Sequence, residues 1–208
     1  MLNSLHPTKQ TLIKSAVKFL ETTAPEDITG EQILADSGIS KGSLYHHFAD
    51  FPDLIEHAQV YMFSRYVGFS VEAINTLLHN AKDRESVLKG LQEITRASQS
   101  PNLNRMRSIR ISAIAKSIRI ERMRILVGVE QERLTEALAD LFRESQERGW
   151  GNPRLDPKTV AVFIQSYTIG KVLDDLTPTH MDEEKWYLLI DTILANVLFP
   201  PGLKAVDA

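Results

Sequence analysis

Three helix starts crowd into the short stretch from Ile28 to Leu54, and together they leave few ways to fold it. Thr29 is a good N-cap, with Gln32 three residues on to complete a capping box, and Ile28 and Ile33 stand where a hydrophobic staple would. Ser40 caps a second helix, with Ile39 and Leu44 as its staple pair. Asp50 caps a third, and Pro52 falls in its first turn, where a missing N–H costs little. The first two starts predict short helices at about 30–37 and 41–47. Between them Gly38 supplies the positive φ that a tight turn needs. Helix, short glycine-containing turn, helix is the helix-turn-helix arrangement.

The rest of the chain is also helical in pattern. Strand-type alternation and Asn-Gly or Asp-Gly hairpin signals are missing, and Gly and Pro collect at breaks such as Gly149 to Pro153 and Pro200-Pro201. The periodicity predicts an all-α fold of about nine helices. The first runs over about 8–22, with Leu12, Ile13, Ala16, Val17 and Leu20 on one face. After the two short helices, a long one is expected over about 51–78. The others are expected over about 83–99, 103–118, 121–148, 158–176 and 183–198.

Composition narrows the function. With no cysteine among 208 residues there is no disulfide frame and no thiolate zinc site. No apolar run approaches the roughly 18 residues of a membrane span. The first ten residues lack the order of a signal peptide, so a cytoplasmic location is expected. No nucleophile elbow, glycine-rich phosphate loop or paired carboxylate constellation is present, so neither an enzyme nor a cofactor is expected. His46 and His47 could suggest a metal, but adjacent helical positions point about 100° apart and rarely share an ion.

Charge gives a conflicting signal. The chain is −3 overall, and residues 1–57 hold four lysines, no arginine and eight acids. Residues 105–124 hold seven Lys/Arg against Glu121 alone. Charge by itself would put a polyanion on the middle of the chain. The plainer reading of that stretch is a solvated basic face paired with local acids.

The second short helix points elsewhere. At 100° per residue Leu44 and Phe48 share one direction, and Gly42 and His46 point almost directly away from it, flanked by Ser43 and Tyr45. A glycine inside a helix costs about 1 kcal/mol. Its benefit is close backbone approach to a partner, as a recognition helix in the major groove requires. The run from Ile33 to Phe48, and above all Ser40-Lys41-Gly42-Ser43-Leu44-Tyr45-His46-His47-Phe48, resembles the signature of the TetR family of helix-turn-helix transcriptional regulators.

That resemblance implies roles. Thr29 would set a helix N-terminus against a phosphate. Ser40 begins the recognition helix, Lys41, Gly42, Ser43 and His46 would face bases or sugar edges, and Tyr45 and His47 would hold phosphates. Leu34, Ile39, Leu44 and Phe48 would be core. Leu34 and Phe51 depart from the pattern, standing where an alanine and a lysine are usual. With Glu31 near the DNA side, they predict weaker backbone electrostatics and less salt sensitivity.

The resemblance further implies two domains, 1–50 for DNA binding and 51–208 for effector binding and dimerisation, with the long helix carrying tilt between them. The expected protein is a repressor. It would bind a palindromic double-stranded DNA operator as a homodimer through about residues 158–198, and a small-molecule effector would release it. On a helical wheel of 105–118, Arg107 and Arg110 fall inside the apolar arc, where a charge needs a partner. An acid elsewhere in the chain, snorkelling to the surface, or the anionic head of an effector would each serve. Met62, Phe63 and Tyr66 could line the apolar part of such a pocket.

Overall fold

The computed structural model describes residues 5–203. Every regular element among them is helical: α1 Pro7–Leu20, α2 Gly30–Ser37, α3 Lys41–His47, α4 Phe51–Asn80, α5 Arg84–Gln99, α6 Asn104–Ser117, α7 Glu121–Glu147, α8 Pro157–Gly170, the single turn α9 Val172–Asp175, and α10 Glu183–Ile193. Apart from α9 these are the nine helices expected. No helix among the described residues is long and apolar enough to cross a membrane.

The helix ends form as their capping residues dictate. Thr29 and Gln32 make a reciprocal capping box at the start of α2, and Gly38 closes that helix at φ 67°, in the left-handed region. The Ser40 hydroxyl accepts the Ser43 N–H at 3.2 Å, and Asp50 accepts the Asp53 N–H at 2.7 Å. After α7, Gly149 at φ 73° turns the chain, and the Ser145 carbonyl accepts the N–H groups of both Trp150 and Gly151.

The chain packs into two compact units that do not follow a single cut near residue 50. Among the described residues, one comprises 5–66 with 112–130, and the other 67–111 with 131–203. So α4, α6 and α7 each contribute to both. In the first unit, the head, α1 packs on α2 and α3. Its core holds Leu12, Ile13, Ala16, Ile33, Leu44, Phe48, Leu54, Phe63 and Met123. Segment 112–130 is tied to α4 by polar contacts: Arg122 pairs with Glu56, Lys116 donates to Gln59 at 3.0 Å, and the Ser64 hydroxyl donates to Glu130 at 2.8 Å.

The second unit has its own core, including Val87, Leu91, Leu141, Phe142, Ile164, Leu194 and Phe199. Phe142 and Phe199 meet edge to face with centroids 5.5 Å apart. Here α5 packs on α8. A buried polar chain crosses that packing. Trp186 donates to the Gln99 side chain at 2.6 Å, Gln99 donates to the Tyr167 carbonyl at 3.4 Å, and the Tyr167 hydroxyl lies 3.0 Å from that of Thr95. Burial raises the pKa of that phenol, so it stays protonated.

Candidate nucleic-acid interface

Helix α3 is fixed by what it buries. Leu44 and Phe48 are almost wholly enclosed, so the side chains opposite them must face out. Lys41, Gly42, Tyr45 and His46 are exposed and Ser43 and His47 half-buried, with Tyr45 51% exposed despite its large apolar ring. The structure therefore brings the expected DNA-facing residues of α3 onto one accessible surface. Ser40 is exposed at the N-cap, and the Ser40 and Ser43 hydroxyls lie 3.0 Å apart. A hydroxyl has one donor and two acceptor sites, so Ser43 keeps capacity for a further bond. Thr29 is exposed, its hydroxyl accepting the Gln32 N–H at 3.4 Å. Its position leaves the α2 N-terminus, with its partial positive charge, open to an anion.

The core roles divide. Leu44 and Phe48 are buried, whereas Leu34 and Ile39 are half-buried. Phe51 is explained by its neighbour: a Cβ on Gly30 would stand 3.6 Å from the Phe51 ring, so the aromatic covers the first turn of α2. The crossing of α1 and α2 is pinned by Asp36, which accepts from Ser15 at 2.8 Å and pairs with Lys18. The Lys18 hydrogen bond, then that from Ser15, holds the Asp36 carboxyl below the usual carboxylate range.

The sequence reading missed a cluster beside α3. The His6 ring lies 4.8 Å from that of His47, which also meets His46 edge-on at 5.1 Å. Lys9 sits over Phe48, 4.8 Å from its centroid, with its ammonium 3.3 Å from His57 Nε2. Desolvation, then the charges of His6, His46 and Lys9, push the His47 pKa below the ordinary imidazole range. Among the described residues no group of His, Asp or Glu is arranged to hold a metal ion. Nothing in the sequence marks His6 as a neighbour of His47, because the contact depends on how α1 crosses α3.

The effector candidates fall in different places. Met62 and Phe63 are buried in the head and Tyr66 is half-buried at its end. Arg107 and Arg110 belong to the second unit and are 3% and 2% exposed, so neither snorkels to the surface. Arg107 is met inside the chain. Its Nε and Nη2 donate to Asp175 at 2.8 and 3.0 Å, and its Nη1 donates to the Ser98 and Ser100 carbonyls at 3.4 and 3.0 Å. Asp175 is thus the internal acid that the wheel left open. In the basic stretch, Arg122 pairs with Glu56 and Arg124 with Glu121.

The fold and the exposed α3 define a protein of the helix-turn-helix class, and the fold is that of TetR-type regulators. Over 92% of this chain and 95% of theirs, the structure superposes on Salmonella enterica GusR with a TM-score of 0.68 at 19% identity. It superposes on Escherichia coli NemR in its reduced form with a TM-score of 0.66 at 15% identity, over 94% of this chain and all of that one. A candidate TetR-family transcriptional regulator from Mesorhizobium loti gives 0.67 at 16% identity, over 89% and 92%. In sequence, the nucleoid occlusion factor SlmA of Shewanella pealeana is 22% identical over 203 residues, covering 90% of this chain and 95% of that protein. No family model matches the chain.

Proposed function

We propose that this protein is a DNA-binding transcriptional regulator that grips a palindromic operator as a homodimer and represses until a small-molecule effector releases it. One observation carries the reading: a short helix, anchored by Leu44 and Phe48, that presents glycine and hydrogen-bonding side chains outward in the register a recognition helix needs. Tyr45, His47 and the α2 start behind Thr29 hold phosphates, while Lys41, Ser43 and His46 read base edges past Gly42. Phosphate contacts position the protein and base contacts specify the site.

The homodimer is supported by what the C-terminal helices leave uncovered. Val162 and Phe163 on α8 and Leu188 and Leu189 on α10 are 51%, 38%, 66% and 52% exposed. Leu173, Leu176 and Val197 are exposed as well. Pairing about a two-fold axis would cover such residues and give two reading heads.

Effector recognition is assigned to the second unit, with the buried guanidinium of Arg110 on α6 as the anion-holding group. A guanidinium fork suits a carboxylate or phosphate. With Arg110→Met, effector response should vanish while operator binding survives; a normal response, or a cationic effector, would remove that assignment.

The test of DNA binding is selection of duplexes from a random library by the full-length protein, followed by titration. Tyr45→Phe should weaken selected and random duplexes alike, by roughly threefold to tenfold for one lost hydrogen bond. Ser43→Ala and His46→Ala should instead change the ranking among duplexes. Failure to retain any duplex would overturn the reading.

A further inference from the structure

The stretch that carries α1, α2 and α3 has to hold a polyanion with little permanent positive charge. Residues 1–57 contain no arginine and four lysines, and Lys18 is paired with Asp36 while Lys9 is held over Phe48 beside His57. Yet four of the six histidines of the chain, His6, His46, His47 and His57, lie in that same stretch. Three of them form one group on the α3 side, with His47 in the middle, 4.8 Å from His6 and 5.1 Å from His46. His57 stands one step further in, against Phe48, and is answered by its own acid, Asp53, at 3.1 Å.

We infer that His6 and His47 form a phosphate clamp, with His6 as a DNA contact from α1, and that the clamp takes up a proton when DNA binds. This rests on the DNA-binding reading above and adds to it a residue and a mode of regulation. The two rings have distinct tasks. His6 is the N-cap of α1, and its Nδ1 accepts the Thr8 N–H at 3.2 Å. A neutral His6 therefore carries its proton on Nε2 and can donate it outward. His47 is the titrating member. Its partial burial disfavours the imidazolium most, and the groups on α1 and α3 that add to this are His6, His46 and Lys9, all cationic or able to become so. It is therefore held neutral in the free protein near pH 7. Among the described groups that act on His47 none is an anion, and a phosphate would supply one. Held at the edges of the His6 and His47 rings, it would favour the imidazolium of His47 and convert a neutral bond to a charge-assisted one.

The sign follows by linkage. A group whose proton affinity is low in the free protein and raised in the complex strengthens binding as pH falls through the window between those two values. The gain is lost again as pH rises above the value in the complex. Uptake of one proton makes the affinity change by up to about tenfold per pH unit inside that window. It also adds one cation at a phosphate, so the slope of log affinity against log salt should steepen by about 0.9 on the acid side.

The experiment titrates full-length protein by fluorescence anisotropy against two labelled duplexes of equal length, one selected and one of random sequence. Titrations run across the histidine range at several salt concentrations, with circular dichroism at each pH to confirm the fold. Both duplexes should show the same pH and salt dependence, because phosphates carry no sequence information. His47→Gln should flatten the pH response and remove the extra salt slope. His6→Asn keeps a good N-cap on α1, so it should leave the fold intact while weakening both duplexes severalfold. The clamp is overturned if DNA binds tightly with no pH dependence or if His47→Gln retains the parent profile. A pH response seen on the selected duplex alone also overturns it, since that would place the proton at a base contact such as His46. If neither duplex binds at any pH, the DNA-binding reading itself fails, and the clamp with it.

Discussion

Gly42 stands on the outward face of α3 with open space around it: a Cβ there would meet no atom of the protein within 4 Å. Nothing inside this chain therefore requires a glycine, and its φ is ordinary for a helix. In a seven-residue helix the residue carries a real cost, since alanine is favoured over glycine by about 1 kcal/mol in a helix interior. Gly42→Ala should thus raise the stability of the protein by up to about that amount. The same methyl should lower operator affinity by holding the α3 backbone away from the groove. Chemical denaturation and DNA titration of one variant should move in opposite directions. An alanine variant that is more stable and binds as well as its parent would show that the glycine is not there for close approach. At Gly38, by contrast, φ is 67°, and the turn itself dictates the residue.

Between elements, two ion pairs make separate predictions. Arg107 and Asp175 are 3% and 10% exposed at the side chain and bind through two parallel hydrogen bonds. Asp175→Asn leaves a buried guanidinium without its counter-charge, and breaking such a pair from one side costs about 3–5 kcal/mol. Arg107→Met with Asp175→Leu should recover much of that loss, which thermal denaturation of the single and double variants would show. At the α1–α2 crossing the effect is one of pH. The folded carboxyl of Asp36 titrates below its unfolded value, chiefly because of the Lys18 hydrogen bond and then that of Ser15. Its contribution to stability is therefore present above the usual carboxylate range and lost as pH falls through the lowered value. Asp36→Asn should make the acid limb of the stability curve shallower. A limb of unchanged slope would mean that the crossing does not depend on this carboxylate.

These elements also show what the sequence discloses. Caps and staples are local, so Thr29, Ser40, Asp50 and Gly38 could be read directly and each forms as expected. The wheel placed Arg107 and Arg110 on a buried face, and both are buried. Asp175, however, is far along the chain from Arg107, and no periodicity links them. The same holds for Arg122 and Glu56, whose pairing draws part of α6 and α7 into the head, and for His6 beside His47. Contacts made by how helices cross leave no trace in local pattern.

At the scale of the whole molecule, the apolar residues of α8 and α10 fall into two sets that hydropathy alone does not separate. Val160, Ile164, Tyr167, Ile190, Leu194 and Leu198 close the core of their own unit. Val162, Phe163, Leu188 and Leu189 do not, and they stand exposed. A helix that is apolar over more than the stripe it buries has surface left for a partner. In the proposed dimer, with both reading heads on one operator, the second half-site would be engaged within the same complex, and such linkage strengthens binding by about a hundredfold or more. Val162→Glu with Leu188→Glu tests this directly. Both side chains already face solvent, so the monomer should keep its helical content and its thermal transition. Sedimentation should report a dimer for the parent and a monomer for the variant. The variant's affinity for a palindromic duplex should fall to that for a single half-site, while its affinity for an isolated half-site stays close to the parent's. A variant that remains dimeric would place the two-fold contact on another surface.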